Sequence, residues 1–349
     1  MLALDVKDKK ILFELDIDSR QSFLSIGKKV KLSREVVNYR VNKLIENKII
    51  TEFTTILDIS KIGITMFRSF IKLINLEKDT EQKIIDYLKS KPQIGWGTKG
   101  TGNWNINFIF WARTINEFTL FWNDFNSKFG DYIISKSITM NEWAKLYPKT
   151  FLLSKKFDDV PVYNVIQYNS DIILINNKEL KILSLLASNS RINIMDIAKE
   201  VKLSATTIFS KIKFFEKNKI ILAYSIGLNF SKIGYSYFVT HINFKNHTKK
   251  RYDDIVNYCN NHDNIWSSVH WIGGDDLELD VYIENDSKYF KLLDDFRNKF
   301  SDIIQNIEAT RSGVAFKYNL FPIDIKWNFK KCVKITNYLI ITWLLFVFI

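Results

Sequence analysis

Two segments of the sequence combine basic and amide side chains in a pattern that suits contact with nucleic acid. Each surrounds the string VKLS, found at residues 30–33 and again at 201–204. Asparagine can hydrogen-bond an adenine edge through both amide atoms, while arginine and lysine contact guanine or phosphate. Residues 20–48 hold eight Lys and Arg against two acidic residues, and residues 191–219 hold seven against three. The net charge of +12 therefore gathers around the two strings, and this pattern predicts a nucleic-acid surface.

In the first segment, Val37, Val41 and Leu44 have the spacing of the buried stripe of a helix that begins at VKLS. The side chains predicted to contact DNA from this helix are Ser33, Arg34, Glu35, Asn38, Tyr39, Arg40, Asn42 and Lys43. Ser33 also has the position and chemistry of an N-cap. Arg40 flanks the buried stripe, so two interpretations remain open: contact with DNA, or packing over the core beside an acidic residue.

The second segment keeps the buried stripe, as Ile208, Ile212 and Phe215, but changes the outward side chains. Its predicted DNA contacts are Ser204, Thr206, Ser210, Lys211 and Lys213. Phe209 and Phe214 also point outward, and they cannot form the hydrogen bonds that read most bases. We therefore expect the first segment to dominate sequence readout. Contacts to phosphate are predicted for Arg20, Lys28, Lys29, Lys31, Arg191, Lys199 and Lys202.

The two segments belong to a long internal repeat with an offset of 171 residues. Residues 5–63 and 176–234 share 22 identities in 59 positions without a gap. The same offset aligns Gly102 with Gly273 and Phe125 with Phe296. A repeat of this length with two copies indicates a tandem duplication of one unit, joined at about residues 143–172.

Within each unit, the apolar spacing predicts two kinds of domain. Short helices at about 7–16, 22–30 and 33–47 form a helix-turn-helix of the winged type, in which the last helix enters the major groove. The remainder alternates strand, helix, strand, strand, helix, strand, which is the ferredoxin-like βαββαβ order. The predicted fold class is therefore α+β, with two tandem units, each a helix-turn-helix followed by a βαββαβ domain.

This order of elements, with the motifs DKKILFEL, IGKKVKLSREVVNYRVNKL, NKII and LDISKIG, resembles the Lrp/AsnC family of transcription regulators. The resemblance covers about 5–141 and 176–310, although members of that family usually carry one unit per chain. It implies a DNA-binding regulator that pairs its two units within the chain or forms a homo-oligomer. The predicted domains are 1–63 and 173–234 (helix-turn-helix), 64–142 and 235–320 (βαββαβ), 143–172 (linker) and 321–349 (a basic, then apolar tail).

The resemblance also implies a small-molecule effector, often an amino acid, near the glycine-rich turn of the βαββαβ domain. In this sequence the corresponding residues are Gly100, Gly102, Asn103, Gly273, Gly274 and Asp276. The alternative to an effector site is a simple hairpin turn. Such a turn needs positive φ, which glycine and asparagine adopt readily without any ligand.

No motif for a hydrolase, a nucleotide-binding loop or a metal site is present, so we predict no enzyme activity and no cofactor. One enzymatic alternative remains, because sirohaem decarboxylases resemble Lrp/AsnC proteins and act on tetrapyrroles. Its candidate residues here are His262 and His270. Another alternative is a protein-interaction module that has lost DNA readout.

Two cysteines without a CxxC pair favour the reducing cytosol. Residues 335–349 lack charge and follow Lys330, Lys331 and Lys334. A membrane-spanning helix needs about 20 such residues. Three interpretations of this tail stay open: a marginal membrane anchor, an extra packed element, or a misread reading frame.

Overall fold

The computed structural model describes residues 4–74, 77–100, 104–153, 161–168, 171–311, 315–318 and 321. Unit one contains three helices and a strand, followed by a βαββαβ domain. Its elements are α1 (Val6–Ile17), α2 (Phe23–Val30), α3 (Arg34–Glu46), β1 (Ile50–Leu57), β2 (Thr65–Leu73), α4 (Lys78–Ser90), β3 (Ile94–Lys99), β4 (Ile106–Ala112), α5 (Ile115–Phe129) and β5 (Ile133–Leu146). A short strand, β6 (Tyr163–Gln167), lies between the units.

Unit two repeats this order and adds one strand. Its elements are α6 (Asn177–Ser188), α7 (Ile194–Val201), α8 (Ala205–Lys217), β7 (Ile221–Leu228), β8 (Ser236–Phe244), α9 (Lys249–Asn260), β9 (Ile265–Ile272), β10 (Leu277–Ile283), α10 (Asp286–Phe300), β11 (Ile304–Arg311) and β12 (Ala315–Tyr318). The predicted fold class is confirmed in both units.

The VKLS strings form the turns that begin the two recognition helices, α3 and α8. Lys31 and Lys202 adopt left-handed backbone conformations, with φ of 58° and 56°. The next helix then starts at a serine N-cap: Ser33 accepts from the backbone N–H of Val36 at 3.3 Å, and Ser204 does the same in unit two. The predicted turns and caps are confirmed, and they fix where each recognition helix leaves the turn.

Ten strands form one antiparallel sheet in the order β11-β8-β10-β9-β5-β2-β4-β3-β12, with β6 paired to β5. Each unit contributes four strands in ferredoxin-like order, and helices α4 and α5, or α9 and α10, cover the outer face of its half. The first and last strands, β11 and β12, are separated by only three residues in the chain. The sheet therefore curves round on itself, and the inner faces of its two halves approach each other.

The two strand pairs that join the halves of the sheet are related by the same 171-residue offset as the sequence repeat. Ala144 of β5 pairs with Val269 of β9, and Ala315 of β12 pairs with Thr98 of β3. The single chain thus reproduces the twofold arrangement of a dimer from its two units.

The helix-turn-helix domains are exchanged between the units. Strand β1 pairs with β7, and the core of α1–α3 includes Ile226 and Leu228 from unit two. The core of α6–α8 includes Leu57 and Ile59 from unit one. Each helix-turn-helix is therefore built on strands of the opposite unit, so neither unit forms its core alone.

The lysine of the repeated SKIG motif ties each unit to the other unit's recognition helix. Lys61 Nζ donates to the carbonyl of Asn218 at 3.0 Å, and Lys232 Nζ donates to the carbonyl of Asn47 at 2.8 Å. Asn47 and Asn218 are the C-caps of α3 and α8. A cation at a helix C-terminus is favourable, because the last carbonyls lack helical partners.

The segment predicted as a linker, 143–172, carries structure in its described parts. Strand β5 continues to Leu146 and pairs there with β9, a 3₁₀ turn covers Thr150–Leu152, and β6 pairs with β5. The βαββαβ domain, and with it this strand, was expected to end at residue 142. It extends because its last residues gain partners from the other unit, which lie far away in the sequence.

Candidate nucleic-acid interface

Helix α3 buries one stripe of side chains and exposes the side predicted to meet DNA. Val37, Val41 and Leu44 are at most 2% exposed. The exposed side chains, named here the α3 face, are Arg34, Glu35, Asn38, Tyr39, Asn42 and Lys43. Within the described part of the chain, Arg34, Asn38 and Lys43 make no side-chain hydrogen bond or ion pair, so their polar groups are available to a partner.

The first turn of α3 carries one anion as well as cations. Hydrogen bonds from its own backbone N–H and from the Ser33 hydroxyl hold the pKa of Glu35 below its usual value. Both Ser33 and Glu35 thus have an internal role at the helix start. Their predicted contact with DNA stays a prediction.

The corresponding surface of α8 is less polar. Its exposed side chains, named the α8 face, are Thr206, Phe209, Ser210, Lys213 and Phe214. Phe209 and Phe214 are 50% and 41% exposed, and Lys213 pairs with Glu216 at 2.8 Å. The two faces are therefore chemically different surfaces on equivalent scaffolds.

Arg40 and Lys211, both predicted to contact DNA, are instead engaged within the protein. Arg40 Nη1 donates to Asp5 Oδ2 at 2.7 Å and to Asp8 Oδ1 at 2.8 Å, at the start of α1. These hydrogen bonds raise the pKa of Arg40. Lys211 Nζ donates to Glu179 at 2.6 Å, at the equivalent place on α6. The interpretation of Arg40 as a partner of an acidic residue is the one that the structure matches.

Replacement of Arg40 by Gln is expected to lower the free energy of unfolding by about 0.5–1 kcal/mol, because the pair is only partly shielded from solvent. Urea denaturation measures this change. Asn38→Ala, on the exposed side of the same helix, is the matched control and is expected to change stability by less than about 0.5 kcal/mol. Equal stability of the Arg40 variant and the wild-type chain would contradict the structural role.

Arg20 and Arg191, both predicted to contact phosphate, lie between the two helix-turn-helix domains. Arg20 Nη1 donates to the carbonyl of Ser190 at 2.5 Å, and Arg191 Nη1 donates reciprocally to the carbonyl of Ser19. The Ser19 and Ser190 hydroxyls meet at 2.6 Å. Burial lowers the pKa of Arg191. Both arginines therefore join the two domains, which the sequence did not indicate because their partners lie in the opposite unit. Their predicted contact with phosphate stays a prediction.

The lysines around the VKLS turns keep the exposure that phosphate contact needs. The exposed members are Lys28, Lys29, Lys31, Lys199 and Lys202. Only Lys29 among them is ion-paired within the described residues, to Glu14 at 2.6 Å. Lys31 and Lys202 occupy equivalent turns, so each helix-turn-helix presents an exposed lysine at the start of its recognition helix.

Two of the residues predicted for an effector, Gly100 and Gly274, line one cavity of about 200 Å³ between the units. Gly273 has a φ of 89°, which supports the turn interpretation for that residue. Asp276 Oδ2 accepts from the backbone N–H of Phe244 at 2.6 Å, which stabilises the turn. Gly102 and Asn103 lie outside the described residues.

A buried polar cluster between the two sheet halves was not predicted from the sequence. Arg68 on β2 is 2% exposed and forms an ion pair with Glu278 on β10. Burial lowers the pKa of Arg68 to about 10, although the nearby carboxylate of Asp280 acts in the opposite direction. The signal was present in the strand MFRSFIKLI, where an arginine interrupts an apolar run, but its partners belong to the other unit.

The two histidines considered for tetrapyrrole chemistry occupy different surroundings. His270 lies on β9, where its Nδ1 is 2.7 Å from Glu142 and its ring stacks on Trp143. His262 follows α9 and accepts from the backbone N–H of Asn264. Each has a structural partner of its own, and neither lines the cavities between the sheet halves.

The fold and the two exposed helices define a helix-turn-helix protein with a duplicated, interlocked architecture. Residues 4–45 match the AsnC-type helix-turn-helix domain, and residues 175–221 match a winged helix-turn-helix DNA-binding domain. The chain belongs to the Lrp/AsnC family, as the sequence analysis predicted.

Curated relatives include AzlB, a transcriptional regulator of Bacillus subtilis, which is 35% identical over 27% of this chain and 60% of its own length. An HTH-type transcriptional regulator of Mycobacterium tuberculosis is 42% identical over 18% of this chain and 43% of its own. An uncharacterised HTH-type regulator of Pyrococcus furiosus is 30% identical over 30% of this chain and 69% of its own. The chain thus spans only 60% and 43% of the first two relatives.

The crystal structure of the siroheme decarboxylase NirDL resembles almost the whole chain. The TM-score is 0.61 at 10% sequence identity, over 91% of this chain and 94% of that one. At this level of identity the likeness concerns the fold, including the arrangement of two units.

None of the described helices has both the length and the apolar character that a membrane span needs. The tail at 335–349 lies outside the described residues.

Proposed function

We propose that the chain is a DNA-binding transcription regulator that reads DNA asymmetrically, with α3 as the main sequence reader and α8 as the weaker one. This proposal rests on the α3 face. The exposed side of the capped helix α3 presents Arg34, Asn38, Asn42 and Lys43. Its amides and cations match the base edges and phosphates of a major groove. The family assignment and the regulator relatives support the same role.

Phosphate contact by the VKLS turns predicts a strong dependence of affinity on salt. Removal of one phosphate-binding lysine, as in Lys31→Ala or Lys202→Ala, is expected to reduce the slope of log K against log salt by about 1, and to weaken binding to all duplexes alike. Fluorescence anisotropy over a range of salt concentrations measures both effects. Lys83→Ala, an exposed lysine on α4, is the matched control.

An unchanged slope in both lysine variants would contradict the proposed phosphate contacts. A protein-interaction module that has lost DNA readout would show no binding to any duplex at low salt.

We also propose that the cavity of about 200 Å³ at the glycine turns receives an effector of amino-acid size. Its lining includes the cations Arg68, Lys99 and Arg311 and the carboxylates Asp275 and Glu308, so it offers charges of both signs to a zwitterion. Calorimetric titration with L-amino acids tests this step, and the absence of heat with all of them would contradict it.

Tetrapyrrole chemistry has the likeness in fold to NirDL in its favour. His262 also lines an open surface cavity of about 820 Å³, but this cavity lies outside the sheet halves. The cavities between the sheet halves measure about 170 and 200 Å³, whereas drug-sized ligands, which are smaller than a tetrapyrrole, usually occupy about 300–1,000 Å³. We therefore propose that the chain is not an enzyme. A tetrapyrrole absorption band in the protein purified from cells would contradict this.

A further inference from the structure

A larger cavity lies where the first helix-turn-helix meets the sheet of unit two. Its volume is about 380 Å³, which falls within the range of small-molecule sites. One wall comes from the end of α1 and the β1–β7 ribbon, and another from Trp266 on β9 and Tyr282 on β10. The joint between the units, at Tyr147 and Lys149, closes a third side.

Two carboxylates and one ammonium group line this cavity. Asp16 is 2% exposed, and its oxygens accept from Lys149 Nζ at 2.5 Å, from the Lys149 backbone N–H at 2.7 Å and from Ser225 Oγ at 2.6 Å. The charges of Asp16 and Lys149 therefore neutralise each other. The carboxylate of Glu52 remains, and it gives the cavity a net negative charge.

Glu52 has no hydrogen-bond or ion-pair partner among the described residues. Burial raises the pKa of its carboxyl, although Lys149 opposes the effect. The position of the Glu52 side chain depends on Gly227, which pairs with Glu52 across the ribbon. A Cβ atom on residue 227 would lie 2.7 Å from Glu52 Oε1. The glycine thus makes room for a carboxylate that forms no ion pair within the described part of the chain.

Aromatic rings form much of the remaining wall. Tyr282 stacks on Phe230 with ring centroids 3.6 Å apart, and the Trp266 ring lies 5.7 Å from it. Tyr147 and Tyr163 also line the cavity. Aromatic faces together with a free carboxylate are the chemistry that recognises an organic ammonium ion.

The pseudo-twofold axis provides an internal comparison. At the equivalent positions in the other half, Ala223 replaces Glu52, Ile56 replaces Gly227, and Ala187 replaces Asp16. Ala223 and Ile56 again face each other across the ribbon, as an apolar pair. Among the described residues, the acidic side chains of this cavity therefore belong to one half, and the duplication alone does not account for them.

We propose that this cavity binds a small organic monocation, an amine with an aromatic or aliphatic body, whose ammonium group pairs with Glu52. The site differs from the cavity at the glycine turns in its location and in its charge. Since α1 and the ribbon form one wall, occupancy would also change DNA affinity; this second step rests on the proposed function.

Isothermal titration calorimetry of the full chain, without DNA, tests the site directly. Phenethylamine is expected to bind, whereas phenethyl alcohol, which has the same body without the charge, is not. Glu52→Gln is expected to weaken phenethylamine binding by at least about tenfold. Gly227→Ala, which displaces the carboxylate, is expected to weaken it as well. Asp275→Asn, which removes a carboxylate from the other cavity, is the matched control and retains the affinity.

The proposal is overturned if wild-type protein gives no heat with phenethylamine at millimolar concentration. It is also overturned if the Glu52→Gln variant, shown to be folded by circular dichroism, binds as well as the wild type. Anisotropy with and without the amine then measures the coupling to DNA. Loss of DNA binding in every sample, with the calorimetric result intact, would contradict the proposed function and leave the amine site standing.

Discussion

Replacement of Arg68 by Met is expected to lower the free energy of unfolding by about 3–5 kcal/mol, because it leaves buried carboxylates without their counter-charge. Glu278 and Asp280, on the facing strand, are 5% and 8% exposed. Arg68 also donates to Asn107 Oδ1 at 3.0 Å and lies 4.6 Å from the Phe70 ring. Urea denaturation followed by circular dichroism measures the loss.

The loss in the Arg68→Met variant is expected to depend on pH. A buried carboxylate without a counter-charge favours its neutral form. In the variant, the folded state would bind a proton to Glu278 at a pH where the unfolded state does not, so stability increases as the pH falls. The deficit relative to the wild type should therefore be larger above neutral pH than in mild acid.

A second substitution separates this explanation from simple loss of packing. The double variant Arg68→Met/Glu278→Gln also removes the buried charge of Glu278 that Arg68→Met leaves unpaired. Part of the lost stability is therefore expected to return. Arg34→Met, on the exposed α3 face, is the matched control, with an expected change of less than about 0.5 kcal/mol. A double variant that is less stable than Arg68→Met alone would contradict the charge argument.

The sequence predicted local structure well wherever a signal repeats along the chain. The apolar stripe of Val37, Val41 and Leu44 and the cap at Ser33 defined the recognition helix to within a residue. The offset of 171 predicted the second unit and even the equivalence of Lys31 with Lys202. These features depend on neighbouring residues, so a single sequence contains them.

Contacts between residues distant in the chain were the part that the sequence did not reveal. Arg20 and Arg191 have the chemistry of a phosphate-binding surface, but each donates to a backbone carbonyl of the opposite helix-turn-helix. Arg40 was ambiguous until α1 placed Asp5 and Asp8 beside it. In each case the deciding partner is distant in the chain, and charge pattern alone does not separate a solvated cation from a paired one.

The divergence of the two recognition helices has a direct consequence for the DNA that the chain selects. The reciprocal contacts of Ser19 and Ser190 hold the two helix-turn-helix domains in a twofold arrangement. A twofold protein normally reads a palindrome, because both halves present the same side chains. Here the scaffold is symmetric and the reading faces are not. Selection from a random-sequence pool of duplexes is therefore expected to recover one well-defined half-site beside a degenerate one.

Variants of the two faces provide the quantitative test. Asn38→Ala/Asn42→Ala is expected to weaken binding to the selected duplex by about a hundredfold or more, since each bidentate amide contact contributes about 1–3 kcal/mol. The matched pair on α8, Thr206→Ala/Ser210→Ala, removes smaller groups from a face that also exposes Phe209 and Phe214, and its expected loss is about tenfold or less. Both variants should bind random duplexes as the wild type does, because the lysines of the VKLS turns remain. Fluorescence anisotropy with the selected and the random duplex measures all four affinities. Equal losses from the two faces, or a larger loss from α8, would show that the second unit reads sequence as strongly as the first.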